Sequence, residues 1–125
     1  MQNKKVLIVE DDSFLQGLIS RKLKADNFDV FIALSAVEAL KLTAGGLVPD
    51  FILLDLLLPN IDGFEFLKQI RENPILKTTP VIVFSNLSEE KDIVRAKELG
   101  ITDFMVKSNF TLDELSQRIQ KVFVQ

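Results

Sequence analysis

Apolar positions fall along this chain in two alternating rhythms, short unbroken runs and longer stretches at helical spacing. Val6 to Val9 is a short run that ends in three acids, Glu10, Asp11 and Asp12. Phe14, Leu15, Leu18, Ile19 and Leu23 then recur with helical spacing, with Arg21, Lys22 and Lys24 between them and Asn27 as a stop. Val30 to Leu34 reads as a second strand. Ser35 and Glu38 form a capping box that opens a helix ending at Gly45-Gly46. Pro49 and Asp50 lead into Phe51 to Leu58, a run that is apolar except for one carboxylate, Asp55. A run of this kind predicts a strand buried on both faces of a parallel sheet. An unpaired carboxylate inside it would be expensive, which places Asp55 at the carboxyl end of the strand with a cation or donors around it.

Pro59, Asn60, Asp62 and Gly63 spell the turn that follows. A third helix carries Phe64, Phe66, Leu67 and Ile70 and ends before Pro74. Pro80 precedes Val81 to Phe84, another buried strand, which stops at Ser85. Glu89 to Leu99 reads as a helix with its acids early, closed by Gly100. Ile101 to Val106 is the last strand and ends at Lys107. Thr111 and Glu114 make a second capping box, and Leu112, Leu115, Ile119, Val122 and Phe123 line the final amphipathic helix. Alternation of strand and helix with short connections requires parallel strands and right-handed crossovers, hence a doubly wound α/β sheet with helices on both faces.

Composition narrows the chemistry. The 125 residues, 47% hydrophobic and 26% charged, suit one globular domain, expected to span 1–125. A formal charge of −3 argues against a nucleic-acid partner held through phosphate contacts. Without cysteine there is no thiolate chemistry, and without histidine there is no imidazole base, metal ligand or phosphohistidine carrier. No signal peptide is expected at the start, no apolar stretch is long enough to insert in a membrane, and the cytoplasm is the expected compartment. No internal repeat or linker is visible, and no output domain is expected after the last helix.

The strand ends carry the candidate site. Glu10-Asp11-Asp12 close the first strand, Asp55 the third, Ser85 the fourth and Lys107 the fifth. In a parallel sheet these ends share one rim, where open α/β sheets keep their binding crevice. Each residue alone has a plainer role: Asp11 or Asp12 as a helix cap, Ser85 as a turn residue, Lys107 as a solvated cation. Their arrival at one rim from four strands favours a common site. Two or three oxygen acids suit a hard cation that keeps several waters, such as Mg²⁺.

The full-length pattern resembles a response-regulator receiver domain of two-component signalling. The resemblance rests on the acidic pair Glu10 and Asp11, on Asp55 followed by Pro59 and Asp62-Gly63, on Ser85, and on Lys107. Asp55 lies 85 − 55 = 30 residues before Ser85 and 107 − 55 = 52 before Lys107. It implies a five-stranded (βα)5, flavodoxin-like, three-layer fold with strand order 2-1-3-4-5. It also implies Asp55 as phosphoacceptor, served by a histidine kinase or phosphotransfer protein. Asp11, Asp55 and the Leu57 carbonyl become expected Mg²⁺ ligands, with Glu10 acting through a water. Lys107 would neutralise phosphoryl charge and Ser85 would donate to a phosphoryl oxygen. Ser85 and Phe104 become the switch, biasing the face of the fourth helix, fifth strand and fifth helix toward a downstream protein target. The chain would then act on its own phosphorylation and dephosphorylation only.

Two departures from the family pattern bear on the site. Ser108 stands where a cis proline commonly follows the lysine, and a non-proline cis bond costs about 3 kcal/mol. Phe104 replaces the tyrosine of many relatives, so no phenolic hydroxyl is available there. Leu57 and Leu87, each two residues beyond a site residue, are implied to flank the path of attacking water. Leucines cannot orient that water, so slow self-dephosphorylation is expected. A homodimer through the switch face is a further expectation, with Lys91, Arg95, Asp103 and Arg118 available for intersubunit ion pairs. The alternatives are a pseudo-receiver that binds without phosphorylation and a haloacid-dehalogenase-like phosphatase. The second lacks its general acid, because Leu57 occupies that position.

Overall fold

The computed structural model describes residues 3–59 and 61–123. Its elements run β1 (Lys5–Val9), α1 (Ser13–Ala25), β2 (Asp29–Ala33), α2 (Ala36–Ala44), β3 (Phe51–Leu54), α3 (Gly63–Glu72), β4 (Val81–Ser85), α4 (Glu90–Glu98), β5 (Asp103–Val106), a 3-10 turn (Lys107–Asn109) and α5 (Leu112–Phe123). The five strands form one parallel sheet in the order β2-β1-β3-β4-β5. The chain therefore reverses its direction of travel across the sheet between β1 and β3, which opens a crevice at their carboxyl ends.

Period-2 alternation sorts the strand residues into two cores. Leu7, Val9, Ile52, Leu54, Val81 and Val83 face α2, α3 and α4. Val6, Ile8, Phe51, Leu53, Ile82 and Phe84 face α1 and α5. Both faces are covered, so β1 from Val6 onward, all of β3 and β4 up to Phe84 are apolar. Register then aligns Val9, Leu54, Val83 and Phe104 in one row across the sheet. All four point into the first of these cores, Phe104 as a half-buried member. One step beyond that row come Glu10 and Asp55, two steps beyond it Ser85, and three steps beyond it Lys107.

The helix starts follow their caps. Asp12 accepts from the Leu15 N–H at 3.0 Å, Ser35 from Glu38 at 3.1 Å and Asp62 from Glu65 at 2.9 Å. Thr111 and Glu114 bond reciprocally, at 3.1 and 3.0 Å. A cap of this kind contributes about 1 kcal/mol. Asn27, Gly46 and Gly100 take positive φ (71°, 109° and 79°) just past the helices they close.

Several boundaries differ from the sequence expectation. β2 begins at Asp29 and stops before Leu34, which is exposed beyond the ladder. β3 ends at Leu54, so Asp55 lies just past the last paired residue and Leu56 to Leu58 belong to the loop. β5 starts at Asp103, not Ile101. Asn60 of the expected turn lies outside the described residues.

The four charges expected between subunits have partners within the chain. Arg118 pairs with Asp103, Arg95 lies 4.1 Å from the centroid of the Phe64 ring, and Lys91 reaches Glu89 at 3.5 Å. Arg118 thus links α5 to β5, Arg95 links α4 to α3, and Lys91 pairs with its own helix start. Among the described residues no helix is long and apolar enough to cross a membrane.

Candidate functional site

Asp55 is 5% exposed and Glu10 3%, and both oxygens of each carboxylate are engaged. Ser85 Oγ donates to Asp55 Oδ1 at 2.7 Å, and the Leu57 N–H donates to the same oxygen at 3.0 Å. Lys107 Nζ donates to Asp55 Oδ2 at 2.7 Å and to Glu10 Oε1 at 2.6 Å. The Asp12 N–H satisfies Glu10 Oε2 at 3.0 Å. One ammonium therefore bridges two buried carboxylates contributed by β1 and β3.

The electrostatics follow from this crowding. Burial pushes the Glu10 carboxyl above its usual range; the bonds from Lys107 and the Asp12 N–H oppose that, and the nearby Asp55 charge adds to it. Burial works to lower the Lys107 ammonium, but the hydrogen bonds and charges of Asp55 and Glu10 outweigh it and hold the group above its usual range. Lys107 is accordingly a cation throughout the physiological range.

The sequence left open whether Asp11 or Asp12 caps α1, and the structure assigns that role to Asp12. Asp11 is left exposed at the mouth of the crevice. Glu10, Asp11 and Asp55 each bring a carboxylate oxygen within 4.8 Å of the others. An all-oxygen set of this kind fits a hard divalent cation. The Leu57 N–H bond to Asp55 puts that peptide at the edge of the same cluster.

Local sequence explains how these groups are held. A Cβ on Gly63 would lie 2.5 Å from Leu56 Cα and 2.8 Å from the Asp55 carbonyl oxygen, so only glycine lets the start of α3 press against the backbone carrying Asp55. The Gly63 N–H also donates to the Leu56 carbonyl at 3.1 Å. Asp62-Gly63 is visible in sequence as a turn; the contact that makes the glycine necessary is not. Lys107 begins the 3-10 turn, and no cis peptide occurs among the described residues, so the Lys107–Ser108 bond is trans.

Phe104 stays with the core row, half-buried against its apolar side chains. Leu57 projects outward, 52% exposed, whereas Leu87 is half-buried against the core. The backbone N–H groups of Leu57 and Leu87 bond to Asp55 and Ser85, a role that sequence reasoning missed. The signal for it was the i, i+2 spacing of an acid or hydroxyl and a following loop N–H.

The chain is 40% identical to response regulator ArlR of Staphylococcus saprophyticus over 93% of its own length and 50% of that protein. Among solved structures it is similar to chemotaxis response regulator CheY4 of Vibrio cholerae (TM-score 0.87, 29% identity, 97% of this chain and 99% of that one). It is similar also to the receiver domain of the Pseudomonas aeruginosa sensor histidine kinase PA1611, which carries a magnesium ion in its active-site cleft (TM-score 0.83, 25% identity, 95% of this chain and 96% of that one). The chain spans about half the length of the curated relatives it matches first. Residues 6–120 match the family model of the response regulator receiver domain, so with this fold and this row of strand-end groups the chain belongs to the response regulator receiver domain family.

Proposed function

We propose that residues 1–125 act as a phosphoacceptor unit in which Asp55 takes a phosphoryl group from a histidine kinase or phosphotransfer protein. The observation that carries this reading is the Asp55 carboxylate, buried at the crevice between β1 and β3 and held by Lys107 and Ser85. Asp55 Oδ attacks phosphorus as a carboxylate nucleophile, the bond from phosphorus to the donor breaks, and an acyl phosphate forms. Lys107 faces charge on the phosphoryl oxygens, and Ser85 can turn its proton from Asp55 to one of them. Glu10, Asp11, Asp55 and the Leu57 carbonyl would hold Mg²⁺, in keeping with the magnesium of the PA1611 receiver. When bound, the ion supplies neutralisation of phosphoryl charge.

The chain works on its own phosphorylation and dephosphorylation, in the cytoplasm. Its output is a change at the α4-β5-α5 face, read by a downstream protein or by a second copy. Ser85 and Phe104 carry the change, Phe104 from the core row beside β4.

Intact mass after incubation with acetyl phosphate and Mg²⁺ tests the reading. Wild type should gain one phosphoryl group and Asp55→Asn none, with the fold of the variant retained by circular dichroism. Stoichiometric labelling of Asp55→Asn removes the assignment, and a wild type that never gains mass is a pseudo-receiver.

A further inference from the structure

Helix α4 is held very differently at its two ends. At the carboxyl end, Arg71 of α3 reaches across with its whole guanidinium. Nε donates to the Leu99 carbonyl at 3.0 Å and Nη2 to the Gly100 carbonyl at 3.0 Å. Nη1 donates to the carbonyls of Leu76 and Lys77, at 3.1 and 3.2 Å. One planar cation thus ties the end of α4 to the α3–β4 loop through carbonyls of both segments. A positive charge at a helix carboxyl terminus also complements the helix dipole. Gly100, with φ +79°, makes the left-handed turn after α4, and Arg71 Nε lies in ordinary contact distance of it.

Among the described residues the amino end has no such tie. Glu89 caps α4 without a side-chain hydrogen bond, and Glu89, Glu90 and Lys91 are exposed. Within the helix Ala96, in the last turns, is the buried residue. What precedes Glu89 is the loop from Ser85, and that loop is wired to the site. The Leu87 N–H donates to Ser85 Oγ at 3.2 Å, and Ser85 Oγ donates to Asp55 Oδ1 at 2.7 Å. Where Ser85 Oγ shifts toward a new acceptor on Asp55, the Leu87 N–H bonded to that oxygen carries the loop at the untied end with it.

We propose that Arg71 is a fixed pivot for α4, so that events at Asp55 are read out as a tilt about Leu99–Gly100 that grows toward Glu90. The trigger rests on the phosphoacceptor reading; the pivot is a property of the unmodified chain. A tilt of about 10° carries the Glu90 end roughly 2 Å, over a lever of nine residues at 1.5 Å each, and the last turn under about 1 Å. Arg95, lying over Phe64 between the two ends, moves by an intermediate amount. Arg71 is a positioning residue in this scheme and touches nothing at the acidic site.

Hydrogen exchange on the unmodified protein tests the pivot alone. In wild type the amides of the first turn of α4 should exchange on the order of tenfold faster than those of Leu99 and Gly100. Arg71→Met should speed exchange at Leu99 and Gly100 by a similar factor and leave the first turn little changed. Unchanged protection there in the variant, or no gradient in wild type, overturns the pivot. If Arg71→Met does not fold, Arg71→Lys, which keeps the charge but loses the fork, takes its place.

The second arm reads the motion. The chain has no cysteine, so Lys24→Cys on α1 can be paired with Lys91→Cys or Lys97→Cys and spin-labelled without background. With acetyl phosphate and Mg²⁺ the distance to residue 91 should change by about 2 Å and that to residue 97 by less than about 1 Å, as lever geometry requires. Adding Arg71→Met should release residue 97 to move comparably, which a merely structural role would not produce. Equal shifts at both positions in the Arg71 protein overturn the pivot. Intact mass is read on the same samples: no mass gain refutes the phosphoacceptor reading, and the exchange arm then decides the pivot.

Discussion

Two partly buried cations stand at opposite rims of the sheet and do opposite work. Lys107, at the carboxyl rim, faces two carboxylates that outweigh its burial and hold its ammonium above the usual range. Arg71, at the amino rim, faces only carbonyl dipoles among its hydrogen-bond partners, and burial lowers its guanidinium. The ammonium is a compact point charge on a rotatable stem, so in the proposed phosphoacceptor it would follow charge from Asp55 to a phosphoryl oxygen. The guanidinium is a planar fork whose donors are spent on four fixed acceptors. On the proposed readings, the cation among acids sits where charge would be exchanged, and the cation among carbonyls would serve as a joint.

Removing Lys107 should break the comparison most severely. Lys107→Met leaves Glu10 and Asp55 buried together without a counter-charge. Labelling by acetyl phosphate should slow on the order of 10²-fold. The metal-free protein should lose roughly 3 kcal/mol by urea melts, with part of that restored by Mg²⁺. Labelling at the wild-type rate would show that Lys107 only balances the acids.

Gly63→Ala should come next. The added Cβ collides with backbone, not with a pliable side chain, so about 2 kcal/mol of stability should be lost. Because the backbone displaced is that of Asp55 and Leu56, labelling should slow as well. Arg71→Met, by contrast, should lose about 2 kcal/mol from four carbonyls left to water, with no change in the labelling rate and no response to Mg²⁺. A labelling defect in that variant would erase the separation between joint and site.

Asp11 sharpens the site side of the comparison. Asp11→Ala removes an exposed acid from the cluster, so the rise in melting temperature on adding Mg²⁺ should shrink sharply while the metal-free protein melts no lower. An undiminished rise would take Asp11 out of the ligand set. The smallest effect concerns lifetime. Leu57 is exposed and Leu87 is packed against the core, so Leu57→Asn should speed decay of the phosphorylated protein several-fold, and Leu87→Glu less. Decay no faster in Leu57→Asn than in wild type would show that the leucine shields nothing.

The sequence by itself determined the alternation of elements, because buried parallel strands need apolar runs and surface helices need 3.6-residue periodicity. It also determined the caps at Ser35 and Thr111, whose partners lie three residues away. Even the convergence of Glu10, Asp55, Ser85 and Lys107 was readable, since in a parallel sheet the end of every strand lies on one rim. Only the tertiary structure decided which acid of Glu10-Asp11-Asp12 is buried, which caps and which stays open. The three are alike in sequence and differ only by the angle at which the chain leaves β1. It alone decided that Lys107 spans two carboxylates, that Gly63 must have no side chain, and that Arg118 answers Asp103 within the chain. Arg71 was passed over altogether: it sits in a helical pattern as one more polar residue, and its four acceptors come from backbone up to 29 positions away. Backbone carbonyls carry no signature in a sequence, so a joint built from them appears only once the chain has folded.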